Sequence, residues 1–194
     1  MPSSRVSEPP RRADSLRIRA RLLDEARVML AEGGVPLQLN DLARRAGVGV
    51  GTVYRHFATS QALVEALAVL RFEGLLEVAR RAADEPDPWV GIEAVLREQV
   101  RLEMEYAEVR EVLATTYDTH PETSAAKAEL MGITEGLLVA ARAAGVVRAD
   151  LGASDLRRLM CGIGYAVTIS DGGNPALGEL YLRVLCDGIR VTRT

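Results

Sequence analysis

Apolar residues recur along this chain at intervals of three and four, the period of a helix with one buried face, and no stretch alternates as a half-buried strand would. The first such run, capped at Asp14 or Ser15, carries Leu22, Ala26, Met29 and Leu30 on one stripe until Gly33 and Gly34 end it. Leu39, Leu42, Ala43 and Ala46 form a second, shorter face, and Arg44 and Arg45 fall off it toward solvent. Gly47 suits the left-handed backbone that closes many helices. A third helix follows through Tyr54 to Phe57, with Val53 and Phe57 four apart on its inner face.

Farther along, Thr59 can cap a fourth helix that runs through Leu63, Leu67 and Leu70 to about Ala83, where Asp-Glu-Pro-Asp-Pro breaks it. Residues 87–115 read as two helices, the first holding Trp89, Ile92, Val95, Leu96, Gln99 and Leu102, the second starting near Tyr106. A long helix follows Pro121, through Leu130, Ile133, Leu137 and Leu138 to Ala144, and Gly145 ends it. The next spans Ser154 to about Ser170, and the last runs from about Ala176 to Val191 after an Asp-Gly-Gly-Asn-Pro turn. The fold class is therefore all-α. Residues 1–13 have no apolar period and are rich in Pro, Ser and Arg, which predicts a mobile arm. This divides the chain into an arm (1–13), a small domain (14–58) and a larger helical domain (59–194).

The last two helices are apolar on more than one side, and such a surplus must be buried in the core or against a partner. Leu159, Ile163, Val167, Leu177, Leu180, Tyr181 and Val184 are the candidates for a contact between two copies of the chain. Gly162, Gly164 and Ala166 would let helices approach closely.

Charge sharpens the picture at the other end. Across its 194 residues the chain has a net charge of −3, which argues against indiscriminate nucleic-acid binding, yet the balance is uneven. Residues 1–57 hold ten arginines against six acidic residues, a surplus of four that leaves −7 for the remainder. The positive charge thus gathers around two short helices joined by a glycine-containing turn, the arrangement of a helix-turn-helix that reads DNA. Thr52, Tyr54, Arg55 and His56 supply phosphate and base-edge donors there, and Gly49 and Gly51 allow the helix end to come close to a duplex. The helix N-terminus also favours a phosphate. Arg11 and Arg12 could reach the minor groove or the phosphates. Spacing by itself also permits an ordinary helical hairpin with His56 and Tyr54 merely packed.

The order of residues separates these readings. Ala-Gly-Val-Gly-Val-Gly-Thr-Val-Tyr-Arg-His-Phe, from Ala46 to Phe57, closely resembles the signature of the TetR family of bacterial transcriptional regulators. Two positions depart from that pattern: Gly49 stands where a capping Ser or Thr is usual, and Ser60 where a phosphate-touching Lys is common. The resemblance implies double-stranded DNA contacts from Arg17, Arg19, Arg44, Gly49, Val50, Gly51, Thr52, Tyr54, Arg55 and His56. It also implies a homodimer that pairs its last two helices, and a ligand-responsive repressor on a palindromic operator. The C-terminal domain would bind a small apolar effector, with the fourth helix, through Leu67, Leu70 and Leu75, joining the two functions.

Met104, Tyr106, Tyr117, His120, Met131, Met160 and Tyr165 supply soft apolar surface with polar tips, the usual lining of such an effector pocket. The competing reading is a small helical enzyme. Ser124 and Lys127 have the Ser-x-x-Lys spacing of acyl-transferring enzymes, but the companion Ser-Asp-Asn and Lys-Thr-Gly motifs are absent. Gly162-Ile163-Gly164 follows no strand and is no dinucleotide fingerprint. Cys161 and Cys186 have no metal or redox spacing, so no metal or cofactor is expected. No apolar run is long enough for a membrane span, and the chain reads as a soluble cytoplasmic protein.

Overall fold

The computed structural model describes residues 10–33, 36–169 and 174–191. Among these, nine helices account for the regular structure, and the only strand-like pairing is one isolated antiparallel bridge between Val147 and Arg190. The expected arm up to residue 9, the Gly34 stop, Ser170 and the Asp171–Gly173 part of the last turn lie outside the described residues. The chain forms two compact units, 1–67 and 68–194, and the division falls inside the fourth helix.

In the first unit, α1 spans Pro10–Gly33, α2 Leu39–Arg45 and α3 Val50–His56, and α4, Ser60–Ala83, begins. The start of α1 corrects the expected cap at Asp14 or Ser15. A proline opens a helix readily because its missing N–H has no partner there anyway. Asp14 instead pairs with Arg17 one turn on, inside the helix. Residues 10–13 are therefore helical, not part of an arm.

Gln38 makes no side-chain cap at the start of α2, so that helix depends on tertiary contacts. Arg45 supplies one, donating from Nε to Glu25 Oε1 at 2.6 Å and from its other nitrogens to Glu32 of the same helix α1. At the far end Gly47 takes φ +61, and the N–H groups of Gly47 and Val48 donate to the carbonyls of Arg44 and Ala43. These two bonds satisfy carbonyls that the ending helix would otherwise orphan. The buried set includes Leu22, Ala26, Leu37, Leu39, Leu42, Ala43, Ala46, Val53, Phe57 and Leu63. At the start of α4, Thr59 Oγ1 accepts from Ala62 N–H at 3.0 Å, as its position predicts.

The second unit is built around α5, Pro88–Glu105, which packs against α6 (Ala107–Ala114), α7 (Pro121–Ala143), α8 (Ala153–Thr168) and α9 (Pro175–Ile189). That centrality explains why α5 buries most of its circumference, with Trp89, Ile92, Val95, Leu96, Val100 and Leu102 and the polar Gln99 and Glu103, and leaves only the stripe of Val90, Ala94, Arg97, Arg101 and Glu105 exposed. Gly91 is required where α5 crosses α4 and α7, since a Cβ there would come within 2.7 Å of the Ala82 carbonyl oxygen. Asp87 caps α5 by accepting from Trp89 N–H at 2.9 Å, and Asn174 caps α9 by accepting from Ala176 N–H at 3.0 Å. α8 starts one residue before Ser154. Its first N–H groups go to carboxylates: Gly152 donates to Asp155 at 3.1 Å and Ala153 to Glu135 of α7 at 2.9 Å.

The surplus apolar surface of α8 and α9 divides in two. Ile163 and Val167, two of the residues expected at the contact between copies, pack inside the unit at 9% and 3% exposure. Leu159, Leu180 and Val184 are exposed, joined by Tyr165 and Ile169, while Leu177 and Tyr181 are half-buried.

Candidate nucleic-acid interface

α3 has two faces of different chemistry. Val53 and Phe57 are completely buried and fix the helix on the core of the first unit. Arg19 of α1 stacks its guanidinium over the Phe57 ring, 5.3 Å from the centroid. On the other side Val50, Gly51, Tyr54 and Arg55 are exposed, and Thr52 and His56 are half-buried. The Arg55 guanidinium donates to Thr52 Oγ1 at 3.0 Å, which ties the two side chains together on the outer surface. Burial, then the charges of Arg19 and Arg55, push the His56 imidazole below its ordinary value. At neutral pH the ring is therefore uncharged, with one N–H to donate and one nitrogen to accept.

The glycines at the start of α3 are not demanded by the chain itself. A Cβ added at Gly51 meets nothing within 4 Å, and one at Gly49 meets only Thr52 Oγ1, at 3.9 Å. Gly49 offers no side-chain cap, as its identity predicts. Ser60 is engaged within the unit, donating to the Leu37 carbonyl at 2.6 Å. Arg44 is well exposed and pairs loosely with Asp41 at 3.0 Å, and Arg17 is exposed beside Asp14. Arg21, which lies outside the motif and its expected contacts, reaches the turn at Gly47: its Nη2 lies 3.2 Å from where a Cβ would stand. The signal for it is its spacing, one turn beyond Arg17 on the same helix.

In the second unit a cavity of about 450 Å3 opens between α5, α6, α7 and α8. Val95, Leu96, Leu113, Leu130, Leu156 and Met160 provide its apolar wall, with Met131 beside them. Of the seven residues expected to line a pocket, Met131 and Met160 do so. Met104 borders a separate cleft with Arg97 and Glu179. Tyr106 lies under Arg71, 4.2 Å from its ring centroid, His120 precedes α7, and Tyr117 and Tyr165 are exposed. Side-chain softness carries no information about facing, and Tyr165 lies about 140° around the helix from Met160.

Ser124 and Lys127 also border the cavity, but each turns to Asp118. The serine hydroxyl donates to Asp118 Oδ2 at 3.0 Å, and the lysine donates to Asp118 Oδ1 at 2.5 Å and to the Thr115 carbonyl at 2.9 Å. An ammonium so engaged offers no acceptor to a serine proton. Both cysteines are free, and burial pushes the Cys186 thiol up to about 11. Among the described residues no group of three or more His, Cys, Asp and Glu could hold a metal, and no helix is long and apolar enough to cross a membrane.

Residues 22–67 match the family described as bacterial regulatory proteins, tetR family. Residues 87–191 match the C-terminal domain described as transcriptional regulator SbtR-like. A TetR transcriptional regulator from Streptomyces coelicolor is similar in structure, with 27% identity, a TM-score of 0.54, and coverage of 90% of this chain and 99% of that one. The ketosteroid transcriptional regulator KstR2 of Mycobacterium tuberculosis shares the fold at 22% identity and a TM-score of 0.61, over 90% and 95% of the two chains. Thermus thermophilus FadR, a TetR family repressor solved with lauroyl-CoA, shares it at 20% identity and 0.58, over 91% and 97%. A search of curated proteins finds no match. With one family matched over its helix-turn-helix and a second over more than half its length, the chain belongs to the TetR family of DNA-binding transcriptional regulators.

Proposed function

We propose that the protein is a ligand-responsive repressor that acts in the bacterial cytoplasm and binds a roughly palindromic operator as a homodimer through α2 and α3. The observation that carries this reading is the division of α3, with Val53 and Phe57 buried while Tyr54 and Arg55 stand exposed and Thr52 and His56 flank them. Side chains so fixed can enter a major groove without moving the core. The open space at Gly49 and Gly51 supports close approach to the duplex. Tyr54→Ala and His56→Ala should each weaken operator binding by about 1 to 3 kcal/mol with the fold intact. Fluorescence anisotropy on a selected operator measures this, and full-strength binding by both variants would refute the assignment. Thr52 and Arg55, hydrogen-bonded to each other, are expected to set base preference, so their replacement should change which duplexes a random pool yields.

A twofold dimer presents two recognition helices to two half-sites, which is why operator symmetry mirrors protein symmetry. The exposed apolar residues Leu159, Tyr165, Ile169, Leu180 and Val184 support α8 and α9 as the dimer surface. Placing Arg at both Leu180 and Val184 should give monomers by light scattering and reduce operator affinity at least about tenfold. A double variant that stays dimeric would remove this surface from the proposal.

The cavity beneath α7 supports control by a small molecule, being in the size range of ligand sites and largely apolar. Arg80 of α4 pairs with Glu129 of α7 at 2.7 Å, so the helix bordering the cavity is tied to the helix that continues from the first unit. Lauroyl-CoA in FadR is a precedent for ligand binding in this fold. Linkage then requires that an inducer bind the operator-bound dimer more weakly than the free one, by the factor it takes from operator affinity.

A further inference from the structure

The charged groups around the cavity in the second unit do not cancel. Three lining side chains carry nitrogen donors: Gln99, Lys127 and Arg157. Gln99 turns its amide toward Glu103, donating to Oε1 at 2.8 Å, and so points that donor away from any ligand. Lys127 is engaged by Asp118 and the Thr115 carbonyl. Arg157 differs from both. It forms no ion pair with a carboxylate among the described residues, although its neighbour Arg158 pairs with Asp155 at 2.9 Å, and it lies beside the Cys161 thiol one turn on. Since Asp118 is the one acidic residue lining the cavity and is matched by Lys127, the wall retains one uncompensated positive charge.

The N-terminus of α8 is no rival site, because Asp155 and Glu135 already accept from Gly152 and Ala153. A half-buried guanidinium with no carboxylate partner among the described residues, at the edge of an apolar cavity, is available to an anion that enters it. A planar guanidinium recognises a carboxylate through two parallel hydrogen bonds, which suits one better than a spherical ion. Val95, Leu96, Leu130, Leu156 and Met160 would cover an apolar body extending from that head.

We infer that the ligand of this cavity is a small, largely apolar carboxylate, its head held by Arg157 and its body by the walls of α5, α7 and α8. This rests on the reading of the cavity as the effector site. The test uses matched probes on the full-length protein: decanoate against 1-decanol, and 2-naphthoate against 2-naphthalenemethanol, by calorimetry. At least one acid should bind about 10- to 100-fold more tightly than its alcohol. Arg157→Gln should erase that preference and leave the alcohol unchanged, and Arg157→Lys should keep part of it. Ala128→Trp, at an exposed lining position, should block acid and alcohol alike. An alcohol that binds as well as its acid, or a preference that survives Arg157→Gln, overturns the carboxylate assignment, while blocking by Ala128→Trp still upholds the cavity as a ligand site. Binding by no probe, or binding indifferent to Ala128→Trp, overturns the cavity reading and this inference with it.

Discussion

Replacing Phe57 with alanine should cost the first unit about 3 to 5 kcal/mol, the usual penalty for removing a fully buried aromatic side chain. The unit has little to absorb such a loss. Apart from Phe57, its largest fully buried member, its buried core is made of aliphatic residues. The ring also seats the Arg19 guanidinium and lies 6.4 Å from the His56 ring, so the truncation would release two of the side chains bordering the recognition surface. Hydrogen exchange should show amide protection collapsing across α2 and α3, and operator binding should fall with it. Protection equal to that of the unaltered protein would mean that the core closes over the gap, and that Phe57 does not organise the unit.

Stability should also depend on pH through one buried carboxyl. Glu103 is 1% exposed between α5 and α8, and burial pushes its pKa up from 4.5 to about 7 despite the bond from Gln99 and the charge of Arg110. It sits so close to Gly164 that any Cβ there would overlap Oε2. Below pH 4.5 the folded and unfolded chains both hold the proton. Between 4.5 and 7 only the folded chain keeps it, so folded stability falls as pH rises through that window and then levels off. The whole penalty is on the order of 3 kcal/mol, since each tenfold difference in proton affinity between the folded and unfolded chains corresponds to about 1.4 kcal/mol. Glu103→Gln removes the titration. The stability difference between the variant and the unaltered protein, from urea denaturation, should move by about that amount in favour of the variant between pH 5 and pH 8. Groups that do not interact with Glu103 enter both proteins and cancel, and the neighbouring Cys161 thiol, raised above 9 by burial and by the Glu103 charge, stays protonated across this range. Parallel pH profiles would show that Glu103 is neutral throughout or already solvated.

The local elements were legible in the sequence because each is fixed by contacts within one or two turns. Periodicity located α2 through α9 to within a few residues, Thr59 marked the cap of α4, and Gly47 and Gly145 adopt the positive φ values that a helix stop requires. The motif from Ala46 to Phe57 was legible for the same reason, since inward Val53 and Phe57 alternate with outward polar residues over a single short helix. What the tertiary structure alone decided was the partnership of residues distant in sequence. It turned Ser124 and Lys127 toward Asp118, set Glu103 against Gly164, and placed Met160 on the cavity while leaving Tyr165, on the same helix, outside. Helical spacing states which residues share a stripe but not which neighbour that stripe meets, because the rotation of each helix is set by the packing of all the others around α5. The sequence by itself therefore determined an all-helical regulator with its DNA-reading helix, and the packing of α5 through α8 decided which side chains face its cavity.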